Sequence, residues 1–147
     1  MPRVQLDYPD HIFTFSTELD VRFDDINIGA HLGFDKLVTL VTEARSRYLE
    51  SLAIAEVASP GVIVTDLAVT FKTEARLRDR LRIHVGVAER SRVGGDIAYR
   101  IVRPADGAVI AIAKTGMVFF DYDAGRVVGA LPEFPDVVEG TDVEPAR

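Results

Sequence analysis

A chain of 147 residues, 48% hydrophobic and 27% charged, has the size and balance of one globular domain able to bury roughly two thirds of its unfolded surface. Its net charge of −6 argues against a chain that wraps nucleic acid, where phosphates must be neutralised by Lys and Arg. With no cysteine there is no disulfide framework, no thiolate zinc site and no cysteine nucleophile.

Residues 1–10 carry two acids and lack the basic start and apolar stretch of a secretory signal. No apolar run approaches the ~20 residues that a bilayer span requires. A cytoplasmic location without membrane contact is the expectation. From Phe13 the apolar residues Phe15, Leu19, Val21 and Phe23 alternate with Thr14, Ser16, Glu18, Asp20 and Arg22, which predicts a strand with one buried face. Residues 24–33 break that alternation with polar residues and two glycines, Gly29 and Gly33, and read as a loop.

Over residues 34–52 the period changes. Leu37, Leu40, Val41, Ala44, Tyr48 and Leu52 follow steps of three and four, with Lys36, Thr39, Glu43, Ser46, Arg47 and Glu50 opposite them. The spacing predicts one amphipathic helix of roughly 28 Å, long enough to cross a small sheet. After Pro60, residues 62–73, 81–87, 97–103 and 108–120 have the composition and alternation of strands. Gly94-Gly95, Asp106-Gly107, and Asp123 with Gly125 provide turn freedom, so consecutive antiparallel pairing is the simplest topology. Residues 132–147 form an acidic tail containing Pro132, Pro135 and Pro145, expected to be loosely held beside a domain of residues 1–131. The class is α+β. One helix covers one face of a five-stranded sheet, and an uncovered face or edge commonly meets a second copy, so a homodimer is expected.

The chain lacks a G-x-S-x-G elbow, a Walker sequence, a G-x-G-x-x-G after a strand and H-E-x-x-H. His11, His31 and His84 are too scattered for a metal site; His31 and Asp35 are one helical turn apart, but two residues do not make one. Between residues 72 and 82, Lys72, Arg76, Arg78, Arg80 and Arg82 face only Glu74 and Asp79. That excess reads either as a solvated face or as a site for an anion.

The informative stretch runs Arg22-Phe23-Asp24-Asp25-Ile26-Asn27-Ile28-Gly29-Ala30-His31-Leu32-Gly33-Phe34-Asp35, followed by Glu43-Ala44-Arg45. It resembles the hotdog-fold acyl-CoA thioesterases of the 4-hydroxybenzoyl-CoA thioesterase type. Their strand ends in Arg, an aromatic, any residue, Asp, any residue, Asp, and Gly-His-Val-Asn-Asn opens the central helix before a Glu-Ala-Arg or Glu-x-x-Arg. The spacings from Arg22 to His31 and from His31 to Glu43 match without a gap, and the resemblance runs over about residues 13 to 131. It implies a five-stranded antiparallel sheet wrapped on the helix, a homodimer or homotetramer, and an acyl-CoA substrate with no tightly held cofactor, CoA being part of the substrate.

A helix N-terminus suits thioester hydrolysis because its free amides and dipole can hold an oxygen that becomes negative. By the resemblance, the Phe34 amide is the oxyanion donor and Gly33 permits close approach of a substrate; Gly33 could equally only shape the helix start. The acid used by relatives as nucleophile or base falls at Asn27, and a neutral amide neither attacks nor accepts a proton at pH 7. Asn27 and His31 are left to position thioester or water. The base is sought among Asp25, Asp66 and Glu43. Asp25 shares the facing of Asn27 in an extended segment but also suits a turn hydrogen bond. Asp66 lies within an apolar run, where burial would raise its pKa, yet it alternates so that it could face water. Glu43 has Arg47 four residues on, as in a helical salt bridge. Lys72, Arg76 and Arg78 are candidates for the CoA phosphates. Two rivals are a non-catalytic acyl-CoA or acyl-carrier binding protein and a hotdog hydratase or dehydratase.

Overall fold

The computed structural model describes residues 3–140. Its elements are β1 (Phe15–Asp20), α1 (Phe34–Ser51), β2 (Gly61–Phe71), β3 (Arg80–Arg90), β4 (Gly94–Arg103), β5 (Ala108–Asp121) and a two-residue β6 (Arg126–Val127). The expected alternations and helical period are realised within a few residues of their predicted bounds, because each was set by which side chains must leave water. On the inner sheet face, Leu81, Ile83 and Val85 of β3, Ile97, Tyr99 and Ile101 of β4 and Ala111 and Ala113 of β5 are buried with Leu37, Leu40, Val41, Ala44 and Tyr48 of α1. Removing each large side chain from water contributes about 1.5–3 kcal/mol, so this seam holds the helix in place.

The sheet order is β1-β3-β4-β5-β2, with every neighbouring pair antiparallel. This is the five-stranded antiparallel sheet curled around one helix that defines the hotdog fold. Consecutive pairing, expected as the simplest arrangement, holds from β3 to β5 but not for β2, which leaves β1 and β3 and pairs with β5 at the opposite edge. The 18-residue α1 accounts for this: at 1.5 Å per residue it is about 27 Å long and carries the chain across the sheet.

Two further departures have steric causes. Gly94 and Gly95, expected in a turn, lie inside β4, where an added Cβ would stand 2.0 Å from the Met117 oxygen and 2.1 Å from the Glu89 oxygen. The acidic tail is not loose through residue 140. Phe134 is 1% exposed and its ring packs edge-on to Phe119 at 5.6 Å, while Arg90 Nε donates to the Phe134 oxygen at 3.2 Å. Residues 141–147 of that tail lie outside the described residues.

Candidate active site at the start of the helix

After β1, Arg22 leads into a 3-10 turn, Phe23–Asp25, which the Asp25 carboxylate closes by accepting from the Arg22 amide at 2.9 Å. Asp25 is 3% exposed, and its carbonyl accepts from the Gly33 amide at 3.0 Å. Asn27 organises the next residues: its amide donates to the His31 carbonyl at 2.9 Å, and its Oδ1 accepts from the amides of Gly29 at 3.0 Å and His31 at 3.4 Å. Ala30 takes a left-handed conformation, φ 64°, so that the chain can turn back. The Leu32 amide then donates to Ala75 at 2.8 Å and ties this loop to the segment after β2.

Gly33, extended at φ −68° and ψ 148°, gives α1 no side-chain cap hydrogen bond among the described residues. A cavity of about 300 Å³ lies against this start. Its walls are Asn27, His31, Leu32, Phe34 and Leu37 on one side, and Phe71, Lys72, Thr73, Glu74, Ala75 and Ile110 on the other. Apolar side chains dominate, with a few polar groups converging, as in a small-molecule pocket.

The structure therefore gathers Asn27, His31, Phe34 and Lys72 in one cavity, and separates the remaining candidates from it. Gly33 is buried behind the lining, where a Cβ would meet the Asp35 carboxylate at 2.6 Å and the Asn27 Cβ at 3.6 Å. Asp25 is engaged in the turn. Glu43 binds Arg47 Nε at 2.9 Å, and Arg47 in turn donates to Thr17 Oγ1 at 2.7 Å, pinning the helix to β1. Asp66 is the water-facing alternative: its carboxylate pairs with Lys114 Nζ at 2.6 Å and accepts from the Gly116 amide at 3.1 Å. Those contacts, the Lys114 hydrogen bond foremost, lower its pKa and raise that of Lys114.

The basic run does not form one patch. Across the β1–β3 ladder, Arg82 pairs with Glu18 at 2.7 Å and Arg80 with Asp20 at 3.0 Å, which consumes their charge. Arg76 reaches Glu74 at 3.5 Å. Arg78 stands in a separate groove of about 590 Å³ with Glu43 and Arg47. Lys72 alone of the five lines the cavity, and among the described residues it forms no ion pair.

The cavity also holds an acid that the sequence does not single out. Glu74 Oε1 lies 3.3 Å from His31 Nε2. In sequence Glu74 is only a counter-charge within a basic run; 43 residues separate it from His31, and no spacing rule joins a helix start to the end of a distant strand.

No curated protein matches the chain by sequence. Among solved structures, a 1,4-dihydroxy-2-naphthoyl-CoA thioesterase from Synechocystis is similar at a TM-score of 0.74 and 18% identity, over 81% of this chain and 90% of that one. A DHNA-CoA thioesterase from Staphylococcus aureus aligns at 0.71 and 19%, over 78% of each chain. A gentisyl-coenzyme A thioesterase aligns at 0.73 and 15%, over 81% of this chain and 98% of that one. At such identities these likenesses show the fold. Residues 21–140, which contain both walls of the cavity, match the thioesterase-like superfamily, and the chain belongs to that family of thioester hydrolases.

Proposed function

We propose that the protein hydrolyses an acyl-CoA thioester by attack of water, with the reacting carbonyl held at the start of α1. The observation that carries this reading is the cavity itself, which Phe34, the first residue of a helix without a side-chain cap, lines together with Asn27 and His31. When water adds, the carbonyl oxygen becomes an oxyanion. A backbone N–H aimed at it, on the positive end of a helix dipole, stabilises that charge more than the neutral carbonyl and so lowers the barrier.

Asn27 spends its Oδ1 on the loop, which leaves its Nδ2 as a donor for the thioester oxygen or the water. The acyl group lies among Phe34, Leu37, Phe71 and Ile110, and Lys72 provides a cation for the anionic CoA moiety. CoA enters as part of the substrate, and the enzyme works as a homodimer or a dimer of dimers in the cytoplasm.

The test is thiol release from a panel of straight-chain, branched and aromatic acyl-CoAs, followed with a thiol reagent. Saturable turnover of at least one of them is the expected result. Saturable binding with no release from any would leave a binding protein in place of the enzyme.

A further inference from the structure

We propose that Glu74 is the general base of the site, with His31 orienting its carboxylate. This rests on the thioesterase reading, and it answers the difficulty that Asn27 stands where an acid is needed.

The assignment follows from which carboxylates can reach a bound thioester. Asp25 is buried and closes the 3-10 turn. Glu43 is held by Arg47 on the other side of the helix start, and Asp66 by Lys114 on the sheet. Glu74 is the one carboxylate in the lining of the cavity that also contains Asn27 and Phe34.

Its surroundings leave it within reach of water. One oxygen faces His31 Nε2 at 3.3 Å and the other faces Arg76 Nη2 at 3.5 Å, so the carboxylate lies between two nitrogen-bearing side chains. The side chain keeps 59% of its exposure, and each oxygen has a second lone pair, which leaves room for a water. With its Nε2 facing that oxygen, His31 is placed to orient Glu74, a positioning role.

In the step this implies, Glu74 takes a proton from water as the oxygen of that water bonds to the thioester carbon. The carbonyl electron pair moves onto the oxygen held by the Phe34 amide. Collapse of this tetrahedral species restores the C=O and breaks the C–S bond. The departing thiolate takes the proton back from Glu74, giving a carboxylic acid and CoA thiol, with no other reactant needed.

The experiment compares wild type, Glu74→Gln, Glu74→Ala and Glu74→Asp on whichever acyl-CoA the wild type turns over best. We expect Gln and Ala to lower kcat by ~100-fold or more while KM and the unfolding midpoint stay close to wild type, as for loss of a general base. Formate added to Glu74→Ala restores part of the rate. Retention of kcat within about threefold in Glu74→Gln overturns the assignment and leaves the thioesterase reading intact. A loss of kcat that neither formate nor Glu74→Asp relieves overturns it too, since it marks a role in shape. Absence of turnover by wild type itself sinks the thioesterase reading first, and the base with it.

Discussion

Asn27 and Asp66 show how differently two polar residues of one chain can be read. Asn27 stands at the place of an acid, and its Oδ1 is committed to the amides of Gly29 and His31. A side chain that both shapes the loop and presents its remaining donors to the cavity should be sensitive to truncation. Asn27→Ala is expected to lower kcat/KM for the thioester by about tenfold or more, or ~1.4 kcal/mol of barrier. Asp66→Ala, measured in the same thiol-release assay, should leave turnover within about twofold, since its carboxylate spends itself on Lys114 and Gly116 outside the cavity. A tenfold loss in Asp66→Ala with an unchanged Asn27→Ala would place the chemistry elsewhere. The alternation of residues 62–69 allowed Asp66 to face water or core; only its pairing with a lysine 48 positions away decides that it faces water.

Elements whose determinants are local were readable in advance. The start of α1 falls at Phe34 as the change of period indicates, and the Asp106-Gly107 turn is made by a glycine at φ 72°. The segment after β6 was different: its acidic, proline-bearing composition indicates a loose end, while one aromatic determines its fate. Phe134 enters the core against Phe119 and brings Leu131 and Val137 to the edge of that cluster. A tail held by one buried ring makes a sharp prediction. Phe134→Ala is expected to destabilise the fold by about 3–5 kcal/mol in urea unfolding, as for other buried aromatics. A loss below about 1 kcal/mol would show that the segment is only laid on the surface.

At the scale of the whole molecule, the sheet is unevenly covered. Helix α1 packs with the inner face of β3, β4 and β5, and Val62 and Val69 of β2 join that core, whereas other inward-facing residues of β2 stay open: Val64 is 40% exposed, Leu67 44% and Phe71 53%. Among the described residues β2 is also a sheet edge, paired only with β5. We propose that a second copy covers this edge and apolar strip, which is the homodimer anticipated from pattern alone. Sedimentation equilibrium should then give twice the chain mass or a multiple of it, and Leu67→Asp, which sets a charge on the strip, should shift the equilibrium to monomer. A wild-type chain that sediments as a monomer at tens of micromolar would refute this arrangement. The N-terminal segment meanwhile crosses the outer face. Arg100 stacks on Phe13 at 4.6 Å and holds the Tyr8 carbonyl, and Gly86 admits the crossing because a Cβ there would stand 1.8 Å from the Ile12 oxygen.

The sequence by itself determined the helix, the strands, the loop that joins β1 to α1, and the family to which that loop belongs. These depend on the period of apolar residues and on spacings within about twenty positions, and such properties are carried by the chain before it folds. Only the tertiary structure decided which strand lies at which edge, which cations remain unpaired and which carboxylate shares a cavity with Phe34. Lys72, Glu74 and His31 meet because α1 carries the chain across the sheet and the Leu32 amide anchors the loop to Ala75. Contacts of that range are fixed by packing, and no local pattern records them.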